Sequence, residues 1–154
     1  MRRKLYGLTM PVRPARLSDI PVWAAMRARL WPDADVAELA EELPAMLSDD
    51  TLWNFILLDD ADSVTGFAEV QLRTMFDGCP VSPYPHVEGI WVDASLRRSG
   101  GAGALLAAIE ERARDGGYNR IGSDVELDNI GSQAWHAACG FTEEARSILY
   151  SKPL

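Results

Sequence analysis

Two periods of apolar residues alternate along this 154-residue chain, and they predict its elements in order. Ile20, Trp23, Arg27 and Leu30 recur at helical spacing, with only the arginine polar. Ser18-Asp19 can cap that helix, its first turn tolerates Pro21, and Pro32 stops it at Leu30-Trp31. A second helix starts at Asp35, which has Glu38 three positions on as a capping-box-like pair. It buries Val36, Leu39, Leu43, Met46 and Leu47 and turns Glu38, Glu41 and Glu42 to water, with Pro44 distorting its last turns. Residues 53–58 and 66–72 read as strands, and the polar turn at 59–63 joins them into an antiparallel hairpin. Residues 73–85 hold Gly78, Pro80, Pro83 and Pro85 and read as a loop over a sheet edge, of a length that tends to be functional. A strand at 87–92, a helix at 101–115 ended by Gly116-Gly117, and a strand at 120–125 follow. A helix at 129–138, the pair Gly140-Phe141 and a last strand at 146–152 complete the order. The pattern predicts one α+β domain over 1–154, with helices crossing a largely antiparallel sheet and residues 1–11 extended or poorly ordered.

Composition narrows the class. Hydrophobic content of 47% and charged content of 25% are ordinary for a globular domain. No apolar run approaches the roughly 20 residues of a membrane span. Met1-Arg2-Arg3-Lys4 is basic, but no long apolar region follows, so no signal peptide is expected. A formal net charge of −8 argues against a nucleic-acid binder, which needs a broad basic face. It favours cationic small molecules through long-range attraction, and it is equally the charge of a merely well-solvated surface. Cys79 and Cys139 form neither a CxxC pair nor a metal-ligand spacing, which predicts reduced thiols in a cytoplasmic protein.

Against that acidic background, Arg97-Arg98-Ser99-Gly100-Gly101-Ala102-Gly103 stands between a strand and a helix. Glycines let the backbone approach an anion, helix N-terminal amides point at it, and arginines add charge-assisted contacts. The turn lacks the GKS or GKT of a Walker A loop, and its glycines sit at the wrong offsets for a dinucleotide motif. A glycine-eased turn with solvated arginines is the bland alternative. A second group is Asp124, Glu126 and Asp128, beside Asn129. Period-2 alternation puts Asp124 and Glu126 on one face if the strand continues that far. Three carboxylates at a strand end suit an amine better than a metal, because His86 and His136 supply no evident ligand set. Asp128-Asn129 also reads as the cap of the next helix. His136, four residues before Gly140, is by itself an ordinary helical histidine.

Together these segments resemble the GCN5-related N-acetyltransferase (GNAT) superfamily over residues 12–152. Arg97, Gly100 and Ala102 match its acetyl-CoA motif, [Q/R]-x-x-G-x-[G/A], and Asn129 and Gly140-Phe141 match its later positions. Within it the chain is similar to the short aminoglycoside 6′-N-acetyltransferases at Leu30-Trp31-Pro32-Asp33, Ser82-Pro83, Glu88-Gly89-Ile90-Trp91-Val92, Arg97-Arg98-Ser99-Gly100, Ser123-Asp124, Leu127-Asp128-Asn129 and His136. It departs from them at residues 74–79 and at Tyr84-Pro85-His86.

The resemblance implies a GNAT fold, a mixed, mostly antiparallel sheet of six to seven strands flanked by about four helices. It implies transfer of acetyl from acetyl-CoA, with no metal, to the 6′-amine of an aminoglycoside. Acetylation of another small amine or a protein amine, and acyl-CoA sensing without turnover, are the alternatives. The cofactor would lie along Ile90, Trp91 and Val92, on Arg97, Arg98, Ser99, Gly100, Gly101, Ala102 and Gly103, and against Asn129. Asp124 is the implied base, Glu88 the second candidate, and His136 the group that meets the departing thiolate. Trp31, Asp33, Tyr84, Glu88, Asp124, Glu126 and Asp128 would wall the acceptor cleft. No nucleic acid or membrane partner is expected, and a homodimer is expected by analogy.

Overall fold

A computed structural model describes residues 10–75 and 82–154. Residues 1–9, and with them most of the segment expected to be extended or poorly ordered, lie outside the described residues, as does Cys79. The sheet is built from β1 (Val12–Pro14), β2 (Leu52–Leu58), β3 (Val64–Arg73), β4 (Tyr84–Val92) and β5 (Gly122–Ser123), in that spatial order. All neighbours are antiparallel except β4 and β5, which run parallel. A parallel pair needs a crossover, and α4 (Gly101–Asp115) supplies it. The other helices are α1 (Ile20–Leu30), α2 (Val36–Glu41), α3 (Leu43–Met46) and α5 (Ile130–Ala138).

The near-continuous apolar run of β2 reflects burial on both faces. Trp53, Phe55 and Leu57 pack with Ala68, Val70 and Val92 against Leu105, Ile109 and Ala113 of α4. Ile56, Leu58 and Phe67 pack the other face against Trp23 and Met26 of α1 and Leu43 of α3. Three layers result, with the sheet in the middle. Arg27, the polar residue in the α1 stripe, is buried among ions rather than solvated. Its Nη1 donates to Leu39 O at 2.7 Å and its Nε lies 2.8 Å from Glu69 Oε1, which also accepts from Trp23 Nε1 at 2.8 Å. Burial pushes the Glu69 carboxyl above its usual range, with the Arg27 charge opposing that shift. This network ties α1 to β3 and to the end of α2.

Five expectations are corrected. Among the described residues the sheet has five strands rather than six to seven. The strand expected at 120–125 is only Gly122–Ser123, and residues 146–152 form no strand. The helix from Asp35 is interrupted at Glu42, with Pro44 opening α3, because a proline within a helix removes a donor and crowds the preceding turn. β4 begins at Tyr84 rather than 87, so the loop after β3 is shorter than expected. No helix among the described residues is long and apolar enough to cross a membrane.

Candidate active site

β4 is the floor of the site. It pairs with β3 along its length, but the register shifts so that Glu69 faces Gly89 while Val70 faces Val87. Glu88 is therefore the extra residue of a bulge, which re-aims a side chain and bends the strand. On its other edge β4 pairs with β5 at only two positions, His86↔Gly122 and Val87↔Ser123. From Glu88 onward that edge of β4 meets no strand among the described residues, leaving backbone donors and acceptors for an extended ligand.

The turn after β4 leads into α4. Asp93 Oδ1 accepts from Ser95 N at 2.9 Å, and Arg97 Nε donates to Val92 O at 3.4 Å, which holds the turn to the strand end. Arg98 adopts φ +65° and Gly100 φ +98°. A left-handed arginine is uncommon, and such strain gathers at functional turns. Gly100 caps α4 without any side-chain hydrogen bond, so the first-turn amides, those of Gly101, Ala102 and Gly103 among them, have no intrahelical acceptor. Gly101 is buried, and a Cβ there would meet Leu57 Cδ2 at 2.8 Å. At Gly103 a Cβ would meet nothing within 4 Å. One glycine serves packing, and the other leaves room above the amides.

At the opposite end of the split, charged side chains from β3, from β4 and from the residue after β5 converge. Arg73, the last residue of β3, donates Nε to Glu88 Oε1 at 2.7 Å and Nη2 to Glu88 Oε2 at 2.5 Å. Both Glu88 oxygens are thus engaged by one guanidinium. Asp124, the residue after β5, is 64% exposed in its side chain; its Oδ1 lies 2.5 Å from His86 Nε2 and 4.0 Å from Arg73 Nη1. His86 is fully buried, and desolvation lowers its pKa below the usual imidazole value, with the Asp124 hydrogen bond opposing. Sequence reasoning did not assign Arg73 or His86 to the site. Their signals, a charge ending an apolar strand and a histidine in the atypical Tyr84-Pro85-His86 segment, become legible once register is known.

His136 sits on the inner side of α5. Its Nδ1–H donates to Ser132 O at 2.7 Å, so in the neutral ring Nε2 accepts from the Ser123 hydroxyl at 2.9 Å. Phe141 packs edge-on against the ring, with centroids 5.1 Å apart. Asn129 caps α5 by accepting from Ser132 N at 3.1 Å, leaving its amide NH2 for a ligand. β5 ends at Ser123, so strand alternation does not align Asp124 with Glu126. Glu126 and Asp128 instead lie exposed on a loop held by Gln133 Nε2, which donates to Leu127 O at 2.9 Å.

Trp31 is half-buried after α1. Its ring packs against Phe67 and would meet a Cβ on Gly89 at 2.9 Å, so the α1–α2 turn leans on the bulge, with Asp33 exposed beside it. Tyr84 departs from its expected place: it lies on β4, not in a loop, and at 1% exposure it offers no surface to an acceptor. Among the described residues no group of three or more His, Cys, Asp or Glu is placed to hold a metal ion.

A strand split stands beside a glycine-rich helix start, and the chain belongs to the acetyltransferase (GNAT) family, whose model matches residues 20–141. It is 37% identical over 144 residues to "Aminoglycoside N(6')-acetyltransferase type 1" of Stenotrophomonas maltophilia, covering 93% of each chain. The protein of the same name from Serratia marcescens is 34% identical, over 88% of this chain and 94% of that one. Among solved structures, AAC(6')-Iy in complex with the bisubstrate analog CoA-S-monomethyl-acetylneamine superposes with a TM-score of 0.87 at 32% identity, over 94% of this chain and 99% of that chain.

Proposed function

We propose that this protein transfers acetyl from acetyl-CoA to the 6′-amine of aminoglycosides, and so inactivates them. One observation carries the reading beyond the likeness to its relatives. β4 and β5 part just where Asp124 leaves β5. A thioester lying along the open edge of β4 would have its carbonyl beside that carboxylate. The pyrophosphate would rest on the amides at the start of α4 with Arg97 and Arg98, where a helix N-terminus favours an anion.

The chemistry is direct attack. Asp124 holds the ammonium and takes its proton, directly or through water; the amine nitrogen bonds the carbonyl carbon and the C–S bond breaks. Backbone N–H groups near the bulge stabilise the oxyanion. Glu88 is less suited as base, because both its oxygens already accept from Arg73. The attacking nitrogen gives up its second proton as the C–S bond breaks, and the thiolate, leaving beside Ser123 and His136, takes that proton up through water. Exposed Asp33, Glu126 and Asp128, with Trp31, form the acidic and aromatic wall for a polycation.

A thiol-release assay with acetyl-CoA against kanamycin, tobramycin, gentamicin, a polyamine and a peptide panel tests the proposal. Turnover of the drugs is expected; turnover of a polyamine or peptide with none of any aminoglycoside would assign the protein to another amine. Asp124→Asn should lower kcat at least about tenfold while acetyl-CoA still binds. Wild-type kcat in that variant would remove Asp124 from the role of base. The dependence on acetyl-CoA and the free thiol of Cys139 go with a cytoplasmic location.

A homodimer belongs to the same proposal. Ile148 is 71%, Leu149 93% and Tyr150 89% exposed, in the segment whose sequence reads as a strand but pairs with no strand among the described residues. Burying an aliphatic side chain of this kind is worth about 1.5–3 kcal/mol, and a second copy can supply the cover.

A further inference from the structure

His86 is a fully buried polar side chain that the proposed chemistry does not use. Its ring lies edge-on to Tyr84, with centroids 5.9 Å apart. Across β5, a Cβ on Gly122 would come within 3.0 Å of His86 Nδ1 and 2.7 Å of Tyr84 Cε2. Gly122 is thus the residue that lets this ring lie flat against β5. In that position Nε2 reaches Asp124 Oδ1 at 2.5 Å, from 38 residues away in sequence. Asp124 needs such a partner: it stands just past a two-residue strand with its side chain 64% exposed, where a carboxylate otherwise turns freely between rotamers.

We propose that His86 is the positioning residue for Asp124, its Nε2–H holding Oδ1 so that Oδ2 is the oxygen that meets the acceptor amine. The proposal rests on Asp124 as the base. Among the described residues, three charged groups face the ring: Arg73 from β3, Glu88 from β4 and Asp124 beyond β5. Desolvation is the largest influence and, with Arg73, favours the neutral imidazole; Glu88 and Asp124 oppose it. An ionised carboxylate only accepts, so the neutral ring is the Nε2–H tautomer. A neutral donor orients the carboxylate without placing a second full positive charge beside that of Arg73. The amine proton passes to Oδ2 while Oδ1 keeps its hydrogen bond, so His86 neither gains nor loses a proton in the step.

Two amide substitutions of the intact protein test this. In His86→Gln the side-chain nitrogen reaches about as far as imidazole Nε2, and in His86→Asn it falls short, although both keep a polar group in the same buried place. With tobramycin and acetyl-CoA, His86→Asn should lose about tenfold or more in kcat with KM for acetyl-CoA unchanged, as a misplaced catalytic group does. His86→Gln should stay within about threefold of the wild type. His86→Asn combined with Asp124→Asn should be no slower than Asp124→Asn alone, since both act through one carboxylate. Nitrogen-15 spectra of the wild-type ring should show the Nε2–H tautomer from pH 6.5 to 9. Equal kcat in the two amide variants, an Nδ1–H tautomer, or an imidazolium in that range would overturn the proposal while leaving Asp124 as base. Wild-type kcat in Asp124→Asn would overturn both.

Discussion

Two carboxylates stand beside Arg73, and their partners separate them: Glu88 gives both oxygens to the guanidinium, whereas Asp124 Oδ2 makes no side-chain hydrogen bond among the described residues. A third carboxylate shows the same logic used for stability. Asp19 is buried, accepts from Arg13 Nη1 and Nη2 at 2.7 and 2.8 Å, and accepts from Arg16 N at 2.8 Å. The Arg13 hydrogen bond is the largest reason its carboxyl lies below the ordinary range. A folded-state value lowered in this way means that the unfolded chain binds the proton more readily. The stabilisation is complete above the unfolded value, about 3.9, and is lost as pH falls through the folded one. Asp19→Asn should therefore cost about 2 kcal/mol at pH 7 and progressively less below about pH 4, read from urea melts of both proteins across pH.

α4 joins packing and binding within one turn, and its glycines separate the two. Gly101→Ala pushes a methyl into Leu57 and Val92, and should destabilise by about 1–3 kcal/mol, as overpacking does. Gly103→Ala meets no neighbour, and should stabilise by up to about 1 kcal/mol through helix propensity. If the cofactor lies over those amides, the same substitution should raise KM for acetyl-CoA several-fold with kcat little changed. Thermal melts and acetyl-CoA titrations of the two variants separate these effects. β2 was legible in the sequence because its burial on both faces writes a long apolar run, and β3 because a polar turn separates it from β2 as the second arm of a hairpin. β5 was overread: residues 120–125 alternate like a strand, but the chain leaves the sheet after Ser123 to form the acidic loop.

Across the whole molecule, the three-layer sheet closes at β1 and opens at β5, and everything proposed for catalysis gathers at the open side. The segment after α5 is tied to the residues before β5 by Glu144, which accepts from Arg120 Nη1 at 2.9 Å, and Ile148, Leu149 and Tyr150 within it are exposed. Light scattering of the purified protein should give the mass of a dimer, and Leu149→Asp with Tyr150→Asp should give a monomer. A wild-type monomer at tens of micromolar would remove the dimer from the proposal.

The sequence by itself determined what depends on neighbours along the chain. The Arg97–Gly103 turn, the Asn129 cap, the end of α1 before Pro32 and the two-sided burial of β2 all follow from local sterics, capping and periodicity. Only the tertiary structure decided which charges meet. Glu88 stands on a bulge because β3 and β4 slip by one residue, and Arg73 takes up its carboxylate. His86 holds Asp124 because α4 returns the chain parallel to β4 with Gly122 opposite His86. Register is set by the apolar faces of both strands and by the turn that joins them, so one strand read alone does not place the bulge.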